Sequence, residues 1–126
     1  MERRVVPAVS PYAATVGYSR AVRVGQHVHV GGTVAFMPEG AEPPPDAYGQ
    51  ARRALEIVVN ALRELGATPG DVVRTRVFLA RAEDWEAVGR AHGEVFGDVL
   101  PASTMVVATL LEPRWLVEIE ADAVVA

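Results

Sequence analysis

The chain has 126 residues, half of them apolar and 22 % charged, with a formal net charge of −4. That size and composition fit one domain over 1–126 with a core of its own, and the negative charge argues against the basic face that nucleic-acid binding requires. All twelve basic residues are Arg and there is no Cys, which excludes a lysine Schiff base, a phosphate-loop lysine, a thiol nucleophile, a disulfide framework and a thiolate metal site.

The opening Met1-Glu2-Arg3-Arg4-Val5-Val6-Pro7 has no apolar run of signal-peptide length behind it. No stretch approaches the ~20 apolar residues of a membrane span. The expectation is a soluble, cytoplasmic protein without a membrane partner.

In chain order, Arg3 to Val6 has the composition of a first strand. Arg20 to Val24 and His27 to Thr33 are two strands joined by a short turn at Gly25-Gln26, hence a hairpin. Gly31 and Gly32 close the second one, and glycine in a strand marks a bulge or a close approach of ligand or backbone. Pro38 to Pro45 is a stiff loop. Asp46 to Leu65 repeats Tyr48, Ala51, Leu55, Val58, Leu62 and Leu65 at steps of three and four, which is one helix face. Asp46 is its predicted N-cap and Gly66 its C′ glycine.

Val72 to Leu79 alternates, with Val73, Thr75, Val77 and Leu79 predicted on one face and Arg74, Arg76 and Phe78 on the other. A second helix spans Glu83 to Phe96, its stripe formed by Trp85, Val88, His92 and Val95. Gly89 and Gly93 share one side of it, and so bare a side predicts close packing there. Thr104 to Leu110 and Trp115 to Val125 are the last strands. The latter sends Val117, Ile119, Ala121 and Ala123 one way and Glu118, Glu120 and Asp122 the other. The pattern predicts an α+β fold, a mixed sheet with two helices on one face.

The polar residues name no reaction by themselves. Arg74 and Arg76 can pair with the acids of the last strand if the strands are neighbours. Otherwise the acidic face is solvated. His27 and His29 share a strand face but lack a third metal ligand, so no metal is expected. His92, on an apolar stripe, reads as a satisfied, half-buried side chain before it reads as a base. No nucleophile elbow, phosphate loop or dinucleotide fingerprint is present.

The motifs in order resemble one family. Gly17-Tyr18-Ser19-Arg20-Ala21-Val22 with Val28-His29-Val30-Gly31-Gly32-Thr33 resembles the "PYSQAV…VFVSGQ" opening of the RidA/YjgF family. Ala51 to Glu56 and Leu65-Gly66-Ala67 resemble its "QTRQALENL…AG" helix, Asp71 to Leu79 its "DVVKTTVFL" strand, and Pro101 to Thr104 and Leu116 to Val124 its "PARS" and "VEIEAIAV" signatures. The resemblance implies a chorismate-mutase-like fold with a six-stranded sheet, a barrel-like homotrimer, and small-molecule clefts between subunits. It implies hydrolysis of enamines or imines to carbonyl compounds and ammonia, without a cofactor.

Carried over by position, the water-positioning glutamate is Glu118 and the cleft tyrosine is Tyr18. The other ligand-binding positions are Gly31, Gly32, Gly89, Ser103, Thr104 and Met105. Several depart from the family's pattern: Ser103 replaces the carboxylate-binding arginine, Met105 a cysteine, Gly31 a serine and Gly89 an asparagine. A hydroxyl cannot stand in for a bidentate guanidinium. Position 103 therefore points to a poor imino-acid deaminase that favours neutral or weakly anionic ligands, with Arg76 or Arg114 as substitute charged contacts. The alternatives are a non-catalytic ligand-sensing or regulatory trimer and, last, an endoribonuclease or translation inhibitor, which the net charge opposes.

Overall fold

The computed structural model describes residues 1–126. The helix α2, Ala47–Glu64, forms where its end signals place it. Asp46 is extended and its side chain accepts the Gly49 N–H at 3.3 Å. At the other end Gly66 turns left-handed at φ 82°, and its N–H donates to the Arg63 carbonyl while Ala67 N–H donates to that of Leu62. Those two bonds satisfy carbonyls the helix leaves open. The buried stripe is wider than predicted, because Gln50, Ala54 and Ala61 join Ala51, Leu55, Val58 and Leu62. Each large aliphatic side chain fully buried there contributes ~1.5–3 kcal/mol.

Six strands form one sheet: β1 Arg3–Pro7, β2 Ser19–Val24, β3 His27–Thr33, β4 Val72–Leu79, β5 Ala102–Val107 and β6 Val117–Val124. Their spatial order is β1-β2-β3-β6-β4-β5, antiparallel except for the parallel β4–β5 pair. The last strand thus lies at the centre, where its alternation is sharpest. Val117, Ile119, Ala121 and Ala123 are buried under the helices, while Glu118, Glu120 and Asp122 point to the open face. β5 is an edge. It pairs only with β4, and Val106 and Val107 stand open to solvent.

Two expected faces are corrected. Val73 is half exposed rather than inside, because the register shifts between Val72 and Arg74 and Val72 takes the buried place. Trp85 is 58 % exposed rather than part of the apolar stripe. A 3-10 turn over Ala82–Asp84 leads into helix α3, Trp85–Phe96, which buries Val88, Ala91 and Phe96 instead. Boundaries shift as well. β5 runs from Ala102 to Val107, not Thr104 to Leu110, and β6 begins at Val117 rather than Trp115. Nothing within this chain packs on Gly89 or Gly93: added Cβ atoms at either would meet open space. A four-residue helix, α1 over Ala13–Val16, precedes β2 and is too short for a periodic pattern. No helix is long and apolar enough to cross a membrane.

Candidate ligand cavity

Glu118 sits near the start of β6, beside the glycine pair of β3. Val30 pairs with Ala121 and Thr33 with Ile119, so two residues, Gly31 and Gly32, span the gap opposite Glu120. This bulge opens the strand, and the Glu118 carboxylate lies in the space a side chain at Gly32 would fill. Burial, then the charge of Glu120, raises the Glu118 pKa, with no cation or hydrogen bond pulling it back. That is the state expected of a carboxyl poised to exchange a proton.

A cavity of about 320 Å³ opens in front of it. Gly32, Val34 and Phe36 form one side, Tyr18 and Arg20 another, and Trp115 with Leu111 a third. Gly17, left-handed at φ 82°, ends α1 and turns the chain so that Tyr18 reaches the rim. At the mouth, Tyr12 donates to Glu112 at 3.3 Å, Glu112 holds Arg114 at 3.1 Å, and the Arg114 guanidinium lies 4.3 Å from the Trp115 ring centre.

One residue behind this wall escaped the sequence reading. Gln50 is 2 % exposed. Its amide donates to the Pro44 and Arg114 carbonyls at 3.1 and 3.0 Å, and its oxygen accepts the Leu116 N–H at 2.8 Å. Gln50 therefore fastens the Arg114–Leu116 segment to α2. A lone glutamine on an apolar helix stripe was the available signal.

The structure gathers only part of the predicted site. Tyr18, Gly32 and Glu118 line the cavity, and Gly31 sits beside it in the bulge. Ser103, Thr104 and Met105 lie on β5, two strands from β6, and Gly89 lies on α3. Ser103 belongs to a different cluster. Thr75, fully buried, reaches its hydroxyl at 2.8 Å and the His92 Nε2 at 2.8 Å. Burial lowers the His92 pKa, so the imidazole is held neutral. Thr104 accepts a bond from Arg74 at 2.7 Å.

The acidic face is paired, not merely solvated. Arg76 bridges Glu120 and Asp122 at 3.3 and 3.0 Å, across neighbouring strands. That occupies Arg76 away from the cavity. His29 Nδ1 lies 2.7 Å from Asp122 Oδ1, and its ring stacks 6.4 Å from that of His27. Burial tends to raise the Asp122 pKa, but the bonds from His29 and Arg76 outweigh it and the net shift is downward. No three metal-binding side chains come together.

A family model described as Endoribonuclease L-PSP matches residues 8–125. An uncharacterised protein of Streptomyces coelicolor is 40 % identical over 121 residues, which are 95 % of this chain and 90 % of that protein. The 2-iminobutanoate/2-iminopropanoate deaminase of Mus musculus is 31 % identical over 123 residues, 97 % of this chain and 91 % of the mouse protein. Among solved structures, a member of the YjgF/YER057c/UK114 family from Mycobacterium tuberculosis superposes with a TM-score of 0.88 at 42 % identity, covering 98 % of this chain and all of that one. TdcF of Escherichia coli, with bound serine, gives 0.82 at 27 % identity, over 98 % and 94 % of the two chains. By motif order, fold and relatives alike, this chain belongs to the Endoribonuclease L-PSP family, the RidA/YjgF group.

Proposed function

We propose that this protein hydrolyses small imines or enamines to carbonyl compounds and ammonia, as a cytoplasmic homotrimer whose clefts each join the Glu118 cavity of one copy to β5 of the next. The observation that carries the reading is Glu118 itself, a carboxylate with no partner, a raised pKa and a cavity in front of it. Relatives named as 2-iminobutanoate/2-iminopropanoate deaminases support it.

The chemistry needs little apparatus. Water adds to the imine carbon as Glu118 takes its proton. Glu118 passes that proton to nitrogen, giving a carbinolamine; the hydroxyl then gives up its own proton, which Glu118 carries to nitrogen as the carbon–nitrogen bond breaks, leaving a carbonyl and ammonia. A general base of this kind is worth ~10²–10⁴-fold. In this reading Tyr18 shapes the approach, and backbone N–H groups near Gly31, or near Met105 in a neighbouring copy, polarise the reacting group.

Two features support the trimer. The positions that the resemblance assigns to one site lie in two separate places within one chain, and β5 has a bare edge that invites cover.

The test is a coupled assay. An amino-acid oxidase generates imines, and ammonia or oxo-acid release is followed. Glu118→Gln is expected to lower kcat by two orders of magnitude or more, and light scattering is expected to give three times the chain mass. A monomer at micromolar concentration, or full activity in the variant, defeats the reading. Turnover of RNA by the same preparation would favour the nuclease alternative.

A further inference from the structure

Ser103 is the open end of a chain of three hydrogen-bonding groups drawn from three elements. The parallel register sets Ser103 of β5 beside Thr75 of β4. Thr75 is fully buried on the helix side of the sheet and touches both Ser103 Oγ and His92 Nε2 of α3, each at 2.8 Å. Those partners stand 28 and 17 positions from Thr75, so no local motif announces them.

The chain has a direction. A hydroxyl holds one proton. Thr75 gives its proton to Ser103, so its bond to His92 uses a proton on Nε2. A bond at Nδ1 would select the other tautomer, and His92 Nδ1 makes none within the chain. The sense is therefore from His92 through Thr75 to Ser103. The Ser103 hydroxyl proton is left uncommitted, and Ser103 is exposed. Each donor polarises the next, so the last O–H donates better than a lone hydroxyl.

The surroundings are uncharged. Burial alone lowers the His92 pKa, with no charged group contributing. Arg74, beside Thr75 in sequence, turns to the other sheet face and bonds Thr104 there. A carboxylate at Ser103 would find one neutral donor and no counter-charge, which suits a carbonyl oxygen far better. There is room as well: Gly89, three residues before His92, shares its side of α3, and a Cβ on it would meet open space.

We propose that Ser103, with Thr75 and His92 behind it as positioning residues, donates to a neutral carbonyl oxygen of the ligand, so that the preferred imine or ketone carries a second, uncharged carbonyl group such as an amide. The proposal rests on the cleft reading above, in which β5 of one copy completes the Glu118 cavity of the next, but not on turnover.

The probes are 2-oxobutanamide and butanone, which share a ketone and differ in an amide where butanone has a methyl group. NMR titration of the full chain is expected to show the amide bound roughly threefold to tenfold more tightly, the range of one neutral hydrogen bond. Ser103→Ala should weaken the amide by that factor and leave butanone within twofold. Thr75→Val keeps the shape and breaks the chain behind Ser103; it should weaken the amide, and Thr75→Ser should restore it. In the unmodified protein the His92 ring ¹⁵N resonances should report a proton on Nε2, and Nε2 should shift with the amide but not with butanone, which covers the case of a variant that misfolds. A proton on Nδ1 instead, equal affinities for the two probes, or a Ser103→Ala protein that binds the amide as well as the parent overturns the proposal. Light scattering on the same sample shows whether the trimer reading has failed with it. Amide binding through Ser103 without any imine turnover would overturn the hydrolase reading alone.

Discussion

The Glu118 carboxylate occupies the volume that a Cβ on Gly32 would need. The obstructing atoms are the far end of a flexible side chain, not backbone, so a methyl group at 32 would push Glu118 aside at small cost to the fold. Gly32→Ala is expected to keep its Tm within a few degrees while losing ~10²-fold in turnover, the scale of loss when a reacting group is misplaced by about 1 Å. A crystal structure should show the carboxylate displaced. A variant with normal turnover would mean that Glu118 does not act from this position.

Glu118 also leaves a signature in stability. Its pKa is raised in the folded chain, so between the ordinary glutamate value of ~4.3 and the raised one the folded state holds more protons than the unfolded. Stability must fall as pH rises through that window and stay lower above it. Glu118→Gln removes the effect. The variant is expected to melt roughly 2–5 °C above the parent at pH 7 and to match it near pH ~3.5, where both states are protonated. A less stable variant at pH 7 would show that the carboxylate is well solvated or paired.

His92 works in the opposite sense. Its pKa is lowered, so from the ordinary value of ~6.5 downward the unfolded chain takes up a proton that the folded chain resists. Its stabilising effect is whole above that value and is lost as pH falls toward the lowered one. His92→Gln keeps a donor for Thr75 and cannot titrate. Denaturant midpoints at pH 7 and pH 5 should drop less for the variant than for the parent. Equal drops would show His92 to be freely solvated.

Gln50 ties the cavity wall to the helix with three hydrogen bonds. Gln50→Leu fits the space but leaves the Leu116 N–H and the Pro44 and Arg114 carbonyls unpaired. The expected loss is ~1–3 kcal/mol, together with a higher KM as the Trp115 side of the cavity loosens. Chemical denaturation and steady-state kinetics measure the two. An unchanged KM would mean that the segment holds its shape by other contacts.

Where a residue's partners are close in sequence, the sequence revealed its place. Asp46 and Gly66 mark the ends of α2 through bonds to residues within five positions, and the alternation of β6 is read from the strand alone. The bonds of Arg76 to Glu120 and Asp122 needed one further assumption, that β4 and β6 are neighbours, and they are. What stayed hidden depends on pairing between strands. The break in the pairing of β1 with β2 and the shift that exposes Val73 arise from registers that no window of residues displays. The third wall of the cavity, from Leu111 to Trp115, has no periodicity to read and is placed by Gln50, more than sixty residues away. Glycine pairs announce room without saying what fills it: Gly32 receives a carboxylate, whereas Gly89 and Gly93 face empty space.

If copies of this chain assemble as proposed, the bare margin of β5 ties the share of chains open to mispairing to their concentration. Its outward peptide groups, flanked by Val106 and Val107, can accept any extended segment that arrives. In the proposed trimer identical neighbours close that opening, whereas a chain without them leaves it on offer to strangers. For such a trimer, dilution, which usually protects a protein from clumping, should raise the share of chains exposed to mispairing.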